Sequence, residues 1–406
     1  VPIQAPTYPK RIDDVYEEMR FLLEDATRLQ LRADVPVGLY ASGGLDSTAV
    51  MWAASRQGVS LEAFLCEFDR LRADSPFARI AAGATGMRLH EEQVSVSQAA
   101  ALLPKLIWHQ DEPLADPALV PCYLIAEKAA RHVKVILNGT GGDELFGGYP
   151  RYRVRGIIPA RWSARVGRGM AGLAAGRSVT RRVAAALDFR QRYLRRMTVL
   201  PESEVRDALG LPGPPVVADA ADALFADSAS SDASSAMMHY DLNVYLPGDL
   251  LMILDKMTMA TSLESRVPLL DYRLVEFASR LPGRLKMRGG GLKQLMRDAL
   301  RGRIPDTILD RPKQGFGPPI SHWMRSQLGR RAREMLLAAD GRTAALLGTP
   351  RVRSWLGAET ARGSRSAYRL WLLLVLELWL RVFDGGIPAR ERDAATLLMR
   401  AGAPWM

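Results

Sequence analysis

Short apolar runs alternate with stretches of helical periodicity through roughly the first 150 residues of the chain. Strands are predicted at residues 35–40, 61–68, 88–96 and 133–137, and the first of these is an apolar run that predicts a buried strand. Apolar residues three and four positions apart predict helices at residues 12–31, 47–57, 77–86, 99–108 and 123–131. Strands that alternate with helices form parallel sheets, because each crossover brings a helix back over the sheet. The sequence therefore predicts an α/β fold with a doubly wound parallel sheet.

Strand signals fade after about residue 150, and the rest of the 406-residue chain has a mainly helical pattern. Further helices are predicted at residues 158–198, 219–226, 234–262, 272–280, 292–300 and 365–383. We divide the chain into a linker at 1–11, an α/β domain at 12–150, a basic helical insertion at 151–240 and a mainly helical region at 241–406 that completes the active site. The apolar segment Leu370–Leu380 contains Glu377 and is too short to cross a bilayer, so it predicts a buried helix.

The formal net charge of +11 is concentrated in one segment. Residues 151–200 hold 13 arginines and a single acid, Asp188. No helix-turn-helix, zinc-finger or RNA-binding motif accompanies this segment. We therefore expect neither a nucleic-acid nor a membrane partner. A non-catalytic scaffold that binds polyanions stays open as an alternative, as does the role of the basic segment.

Two cysteines, Cys66 and Cys122, are too few for a disulfide scaffold or a zinc module. They predict buried structural thiols in a reducing, cytoplasmic compartment. We interpret all five histidines as structural or surface residues, because none has a partner ligand at metal-binding spacing.

The segment SGGLDS, residues 42–47, lies between the first predicted strand and a predicted helix. Its glycines let the backbone turn sharply and approach a ligand closely. The helix that follows offers free N–H groups and a partial positive charge, both of which suit a phosphate. Asp46 beside a phosphate favours a bridging cation, and Mg²⁺ takes carboxylate and phosphate oxygens together. The chain has no Gly-Lys pair, so this segment is not a Walker loop.

A second glycine-rich segment, NGTGGDELFGGY at residues 138–149, directly follows the fourth predicted strand. In an open parallel sheet, ligands bind beyond the carboxyl ends of the strands. Both loops are therefore expected to face one crevice, where Asp46 and Asp143 form a carboxylate pair able to hold Mg²⁺ on a phosphate ligand. The spacing differs from a dinucleotide-binding GxGxxG motif, because Glu144 takes the place of the last glycine.

SGGLDS resembles the pyrophosphate-binding loop of the ATP-pyrophosphatase (PP-loop) enzymes, which cleave ATP between the α- and β-phosphates. Together with the second loop, it resembles the C-terminal synthetase domain of the glutamine-hydrolysing asparagine synthetase family. Further segments agree in order: DEP at 111–113, LDKMTMA at 254–260, SLESRVPLLD at 262–271, GLK at 291–293 and RPKQGFGPP at 311–319. The resemblance runs from about residue 12 to residue 325.

The resemblance implies a ligase that activates the side-chain carboxylate of aspartate as an acyl-adenylate, releases pyrophosphate, and lets ammonia attack to give asparagine and AMP. The implied cofactors are ATP and Mg²⁺. ATP and pyrophosphate would be bound by Ala41, Ser42, Gly43, Gly44, Asp46, Ser47, Asn138 and Gly139. The resemblance also implies that Asp46 and Asp143 are metal ligands and catalytic groups, and that Lys293 stabilises charge developing on the phosphates.

The candidates for substrate binding are Thr140, Asp143, Glu264 and Arg266. Thr140 stands where the asparagine-forming members carry an acid, and a threonine cannot act as a base at neutral pH. Either another group takes the proton from ammonia, or the chain amidates another acid, such as a sugar acid, a peptide carboxylate or a β-amino acid. Arg266 can equally be a structural partner of Glu264.

Two further charged pairs are candidates for the same crevice. Arg311 and Lys313 are expected to guide anions. Asp111 and Glu112 either shape the substrate pocket or simply end a helix.

The nitrogen source is open, because the family's glutaminase domain uses an N-terminal cysteine nucleophile and the first cysteine here is Cys66. We expect this chain alone not to hydrolyse glutamine. Ammonia would come from a glutaminase domain preceding this chain, from a separate glutaminase subunit, or from solution. The sequence also leaves the oligomeric state open, including the option of a homodimer.

Overall fold

The computed structural model describes residues 11–68, 74–153, 189–213, 221, 223–225, 232–315, 317–357 and 364–384. Nearly all of the predicted linker and most of the predicted basic insertion therefore lie outside the described residues. The strands are β1 Val37–Tyr40, β2 Glu62–Phe68, β3 Arg88–Val94, β4 Val135–Leu137 and β5 Glu264–Arg266.

All five strands belong to one parallel sheet, with the order β3-β2-β1-β4-β5. In register, Leu39 of β1 stands between Ala63 of β2 and Leu137 of β4. Parallel strands buried on both faces are rich in apolar residues, which is the pattern of β1, β2 and β4. The predicted α/β fold with a parallel sheet followed by a helical region is confirmed.

The helices of the first region are α1 Ile12–Gln30, α2 Leu45–Ser55, α3 Ser75–Thr85, α4 Val96–Gln110, α5 Leu119–Ala129 and α6 Gly142–Phe146. The later helices are α7 Phe189–Met197, α8 Glu202–Leu209, α9 Ala233–Tyr240, α10 Met252–Met259, α11 Tyr272–Arg280, α12 Gly283–Lys286, α13 Gln294–Leu300, α14 Asp306–Leu309, α15 Ile320–Trp323, α16 Gln327–Leu337, α17 Arg342–Leu347, α18 Thr349–Gly357 and α19 Ser364–Asp384. A π-helical segment, Asp241–Leu251, joins α9 to α10, and 3₁₀ turns lie at Pro150–Tyr152, Pro268–Leu270 and Arg288–Gly290.

Two hydrophobic cores lie on the two faces of the sheet, because successive side chains of a strand point to opposite faces. Leu39 and Leu137 belong to the core that includes α1, α2, α3 and α11. Tyr40, Phe64 and Ile136 belong to the other core, which includes α4, α5, α10 and α19. Cys66 and Cys122 are free and buried in this second core, as predicted.

The apolar segment Leu370–Leu380 lies within α19 and is packed in the core, as predicted. Its acid, Glu377, is fully buried and accepts hydrogen bonds from the backbone N–H groups of Arg342 and Thr343 at 3.1 and 2.7 Å and from Arg381 Nε at 2.6 Å. The carboxylate therefore caps the start of α17. Among the described residues, no helix is both long and apolar enough to cross a membrane.

The strand β5 was not predicted from the sequence. Its three residues carry no apolar alternation, and they are extended because they pair with β4, with Leu137 opposite Arg266. The sheet is therefore completed by a strand from the region predicted to be mainly helical.

Candidate active site

The two glycine-rich loops lie side by side because they follow the adjacent strands β1 and β4. A Cβ atom on Gly139 would stand 2.7 Å from the carbonyl carbon of Asp46 and 2.7 Å from the nitrogen of Ser47. Only a residue without a side chain allows this approach of backbones. The glycine at position 139 is thus required to bring the second loop against the start of α2.

A cavity of about 320 Å³ opens between these loops and the helices that follow β5. The predicted residues that line it are Ser42, Gly44, Asp46, Ser47, Asn138, Gly139, Thr140, Asp143, Lys293, Arg311 and Lys313. The cavity also takes in apolar and aromatic side chains from the π-helical segment and α10, including Tyr245, Ile253 and Leu254. The site therefore combines a charged end with an apolar wall, as small-molecule sites commonly do.

A chain of four charged side chains forms the charged end of the cavity. Lys293 Nζ contacts Asp46 Oδ2 and stands 2.5 Å from Asp143 Oδ1. Lys313 Nζ contacts Asp143 Oδ2 on the other side. One ammonium group thus touches both carboxylates, so Asp46 and Asp143 face the same point at the carboxyl edge of the sheet.

Lys293 is held in place by its backbone as well as by its partners. It immediately precedes α13 with φ of 52°, a left-handed conformation that is uncommon outside glycine. Its side chain is only 4% exposed, and a Cβ atom on Gly148 would stand 2.2 Å from its Cε atom. Strained backbone that persists in a buried, charged cavity is a frequent mark of functional sites.

The charges at this end of the cavity shift one another's pKa values. Burial raises the pKa of Asp46, and the neighbouring Asp143 adds to the rise against the opposing effect of Lys293. Burial also raises the pKa of Asp143, but Lys293 and Lys313 outweigh it and lower that pKa to about 2. Burial lowers the pKa of Lys293, and the two aspartates reverse this effect and raise it. Lys293 therefore stays positively charged between the carboxylates.

The SGGLDS loop is closed by its own hydroxyl groups and by one arginine. Ser42 Oγ lies 2.9 Å from Ser47 Oγ and accepts a hydrogen bond from Gly44 N at 3.3 Å. Arg311, 8% exposed, donates to Gly43 O at 2.9 Å, pairs with Asp74, and lies over the ring of Phe77 at 4.0 Å. A planar guanidinium that bonds in its plane and stacks on a ring fixes the loop more firmly than an ammonium could.

Glu264 and Arg266, which were predicted to bind substrate, are not among the residues that line the cavity. Arg266 Nε donates to Glu264 Oε1 at 2.7 Å, and its Nη1 donates to Gln30 O and Arg32 O at 2.6 and 2.8 Å. The pair thus ties β5 to the end of α1, which is the structural alternative that the sequence left open.

The Asp111–Glu112 pair also stays outside the residues that line the cavity. Asp111 follows α4 and pairs with Lys256 at 2.5 Å on the surface. Ala41, the first residue of the predicted phosphate loop, is buried in the core beside β1 rather than lining the cavity.

Several cavity residues were missed by sequence reasoning. They are Tyr40, Asp74, Asp116, Tyr245 and Arg297. Arg297 and Tyr245 have no local signal, because tertiary packing alone brings them to the cavity. Glu144 is also close: it accepts a hydrogen bond from Tyr149 OH at 2.7 Å, and burial together with Asp143 raises its pKa to about 7.

Comparison with known proteins gives a consistent result. The sequence profile of the asparagine synthase family matches residues 18–381. Asparagine synthetase (glutamine-hydrolyzing) 1 of Bacillus subtilis is 32% identical over 380 residues, which are 90% of this chain and 59% of that protein. A Mycobacterium tuberculosis protein with the provisional name asparagine synthetase (glutamine-hydrolyzing) is 36% identical over 381 residues, 91% of this chain and 58% of the relative.

A more distant relative, amidase chry2 of Gibberella zeae, is 24% identical over 375 residues, which are 81% of this chain and 56% of that protein. The chain thus spans somewhat over half the length of the curated relatives it matches. With the family profile covering most of its length, the chain belongs to the asparagine synthase family.

Proposed function

We propose that this chain is the synthetase part of an ATP-dependent, amide-forming ligase. The observation that carries the proposal is the single buried ammonium of Lys293 shared by Asp46 and Asp143 at the carboxyl edge of the sheet. Membership of the asparagine synthase family and the SGGLDS loop beside this cluster support the same chemistry.

The proposed reaction has two steps that balance in atoms and charge. An oxygen of the substrate carboxylate attacks the α-phosphorus of ATP, and the bond to the β-phosphate oxygen breaks, so that an acyl-adenylate forms and pyrophosphate leaves. Ammonia then attacks the acyl carbon, the bond to the AMP oxygen breaks, and the nitrogen loses one proton, leaving the amide and AMP. Fixed cations in a water-poor cavity stabilise charge that develops on the leaving phosphate oxygens.

In this proposal each part of the charged end has one task. The start of α2 and the hydroxyls of Ser42 and Ser47 bind the β- and γ-phosphates, because helix N-termini present free N–H groups to anions. Lys293 and Lys313 face the bond that breaks. The residues of the β4 loop, Asn138 and Gly139, lie next to this position and orient the nucleotide.

Asp46 and Asp143 also fit a divalent cation of the magnesium type. Both are carboxylates that face one point, and Asp46 Oδ1 is buried with no hydrogen-bond partner among the described residues. Oxygen ligands of this kind are those that Mg²⁺ takes together with phosphate oxygens. Bound there, Mg²⁺ offsets the negative charge of the departing pyrophosphate.

The substrate is proposed to be either aspartate or another carboxylic acid. The names of the Bacillus and Mycobacterium relatives favour aspartate. Thr140, which lines the cavity without offering a base, favours another carboxylic acid, and the amidase name of the fungal relative fits a broader range of amide chemistry in the family. The nitrogen source is proposed to be ammonia, delivered by a glutaminase domain or supplied in solution.

The proposal is tested with purified protein, ATP, Mg²⁺, ammonia and a panel of acids that contains aspartate, sugar acids and β-amino acids. We expect AMP and pyrophosphate in equal amounts, together with one amide. Pyrophosphate release for aspartate well above that for every other acid would identify asparagine formation. Formation of ADP and phosphate instead would refute the adenylation chemistry for all acids at once.

A further inference from the structure

Three potential metal ligands meet at the opposite end of the sheet from the candidate active site. Glu62 is the first residue of β2, and His90 lies on the adjacent strand β3, opposite Phe64. His132 comes from the turn between α5 and β4. Residues 62, 90 and 132 are far apart in sequence, which explains why spacing alone gave no indication of the cluster.

The distances within this Glu62–His90–His132 cluster match those between ligands of a single ion. His90 Nε2 and His132 Nδ1 stand 3.1 and 3.5 Å from the same carboxylate oxygen, Glu62 Oε2. All three ligand atoms lie within 4.8 Å of one another. Two ligand atoms that each lie about 2.0–2.1 Å from a tetrahedral zinc ion are about 3.3 Å apart. The two nitrogen–oxygen distances, 3.1 and 3.5 Å, lie on either side of this value.

The His90 ring is nearly buried and is held in a fixed position beside Glu62 and His132. Its side chain is 10% exposed, and Nε2 is buried without a hydrogen-bond partner among the described residues despite its closeness to Glu62. The imidazole is fixed by stacking on Phe64, with ring centroids 4.9 Å apart, and by His132, at 4.4 Å. The two ring nitrogens therefore converge on one carboxylate oxygen, Glu62 Oε2.

We propose that Glu62, His90 and His132 bind one divalent transition-metal ion, with Zn²⁺ as the best match. Imidazole nitrogens together with one carboxylate suit zinc, whereas magnesium and calcium prefer oxygen ligands throughout. The side chains of Glu62 and His132 are 34% and 36% exposed, which leaves a fourth position open to water. The ion would join β2, β3 and the turn before β4, and so act as a clamp at the amino end of the sheet.

The site can be tested without any enzymatic assay. Untagged full-length protein is dialysed against EDTA, and Zn²⁺ is then titrated calorimetrically while the melting temperature is followed. We expect one Zn²⁺ per chain and a rise in melting temperature at saturation, because an ion that binds only the folded state stabilises it. With Co²⁺ as the probe, we expect the visible absorption bands of a four-coordinate site.

Variants assign the binding to these residues. His132→Ala removes a half-exposed ligand. Loss of an outer-shell partner of a metal ligand weakens binding by about 10- to 100-fold, and loss of this ligand should weaken Zn²⁺ binding by more. Glu62→Gln should have a similar effect. His322→Ala, which changes an exposed histidine on α15, is the matched control and should bind as the unchanged protein does.

Zinc bound only at the active-site carboxylates would survive in His132→Ala with unaltered affinity, and that result would overturn the proposal. Failure to bind Zn²⁺ at micromolar concentrations in folded, EDTA-treated protein would overturn it as well. Neither result depends on whether the chain forms an amide.

Discussion

Each end of the sheet carries a cluster of acidic and basic side chains. The two clusters differ in how deeply the side chains are buried and in how closely the acidic and basic groups are paired. At the carboxyl end, Lys293 is 4% exposed and already contacts Asp46 and Asp143. At the amino end, Glu62 and His132 are about one third exposed, and His90 Nε2 has no hydrogen-bond partner in the described chain.

The two clusters should therefore lose different amounts of stability when one of their members is removed. A buried pair that loses one partner leaves an uncompensated charge out of water, which is expensive. A half-exposed group keeps its hydration when its neighbour is removed, so the loss is small. The carboxyl end should therefore be fragile to substitution and the amino end tolerant, unless a metal ion is bound there.

The largest effect is expected from Lys293→Met. The variant leaves Asp46 and Asp143, whose side chains are only 18% and 14% exposed, without their shared cation, so we expect a loss of about 3 kcal/mol in the free energy of unfolding. Pyrophosphate release should fall by about 100-fold or more, the scale of losing one preorganised electrostatic contact. Denaturant unfolding and the acid panel measure the two effects.

The matched control is Lys134→Met, which alters an exposed lysine just before β4 and should change neither quantity. A Lys293→Met variant as stable and as active as this control would show that the carboxyl end does not depend on the buried ion cluster.

Lys286 is a buried lysine whose ammonium group contacts no carboxylate of the described residues, so replacing it measures how much burial of the charge lowers the free energy of unfolding. It is 4% exposed, its ammonium lies 3.9 Å from Met238 Sδ, and burial lowers its pKa to about 8. Lys286→Met should raise the free energy of unfolding at pH 7 by up to about 3 kcal/mol, because the folded state pays for holding a charged amine that water would solvate.

The sign of this effect fixes its pH dependence. The folded-state pKa lies below the usual 10.5, so between about pH 8 and pH 10.5 the unfolded chain binds more protons and the unchanged protein gains stability as the pH rises. The advantage of Lys286→Met should be complete below pH 8 and shrink above it. Denaturant unfolding at pH 7 and pH 9.5 measures the change, and a variant less stable at pH 7 would contradict the account.

Gly43→Ala should disturb the first loop without changing any charge. Gly43 has φ of 64°, and a Cβ atom there would stand 2.5 Å from Ala78 N. Gly58 has a similar φ of 68° with nothing within 4 Å of an added Cβ, so Gly58→Ala is the matched control. Left-handed backbone alone costs an alanine about 1 kcal/mol. We expect Gly43→Ala to lose at least twice as much stability as Gly58→Ala, and equal losses would show that the contact is unimportant.

The smallest effect is expected from His132→Ala in EDTA. A half-exposed imidazole without metal should contribute less than about 1 kcal/mol to the free energy of unfolding. Added Zn²⁺ should widen the gap to the unchanged protein by stabilising only the latter. A large loss in the free energy of unfolding of His132→Ala in EDTA would contradict the expectation that the amino end of the sheet tolerates substitution.

The sequence predicted the parts of the fold that local pattern encodes. The strands β1, β2, β3 and β4 begin and end within two residues of the predicted bounds. Of these, β1, β2 and β4 are rich in apolar residues, as buried parallel strands commonly are. β5 escaped prediction because Glu264, Ser265 and Arg266 become a strand only through pairing with β4. The Asp46 and Asp143 loops were placed correctly at one edge, since strand ends in a parallel sheet share a direction.

The side chains that were misplaced or missed depend on longer-range packing. Arg266 lies on a strand, but its side chain is directed to carbonyl groups at the end of α1, which the sequence pattern does not encode. The Glu62–His90–His132 cluster is assembled by the register of β2 against β3 and by the end of α5. Contacts of this kind follow from tertiary structure rather than from residue spacing.

The most direct test of the proposed chemistry is exchange of labelled pyrophosphate into ATP, measured without ammonia and with each acid of the panel in turn. The account predicts exchange that requires one carboxylic acid, is retained in Lys134→Met and is lost in Asp46→Asn. Acid-dependent exchange at an unchanged rate in Asp46→Asn would contradict this prediction. The absence of exchange with every acid, in protein that still forms the amide from ATP, would contradict it as well.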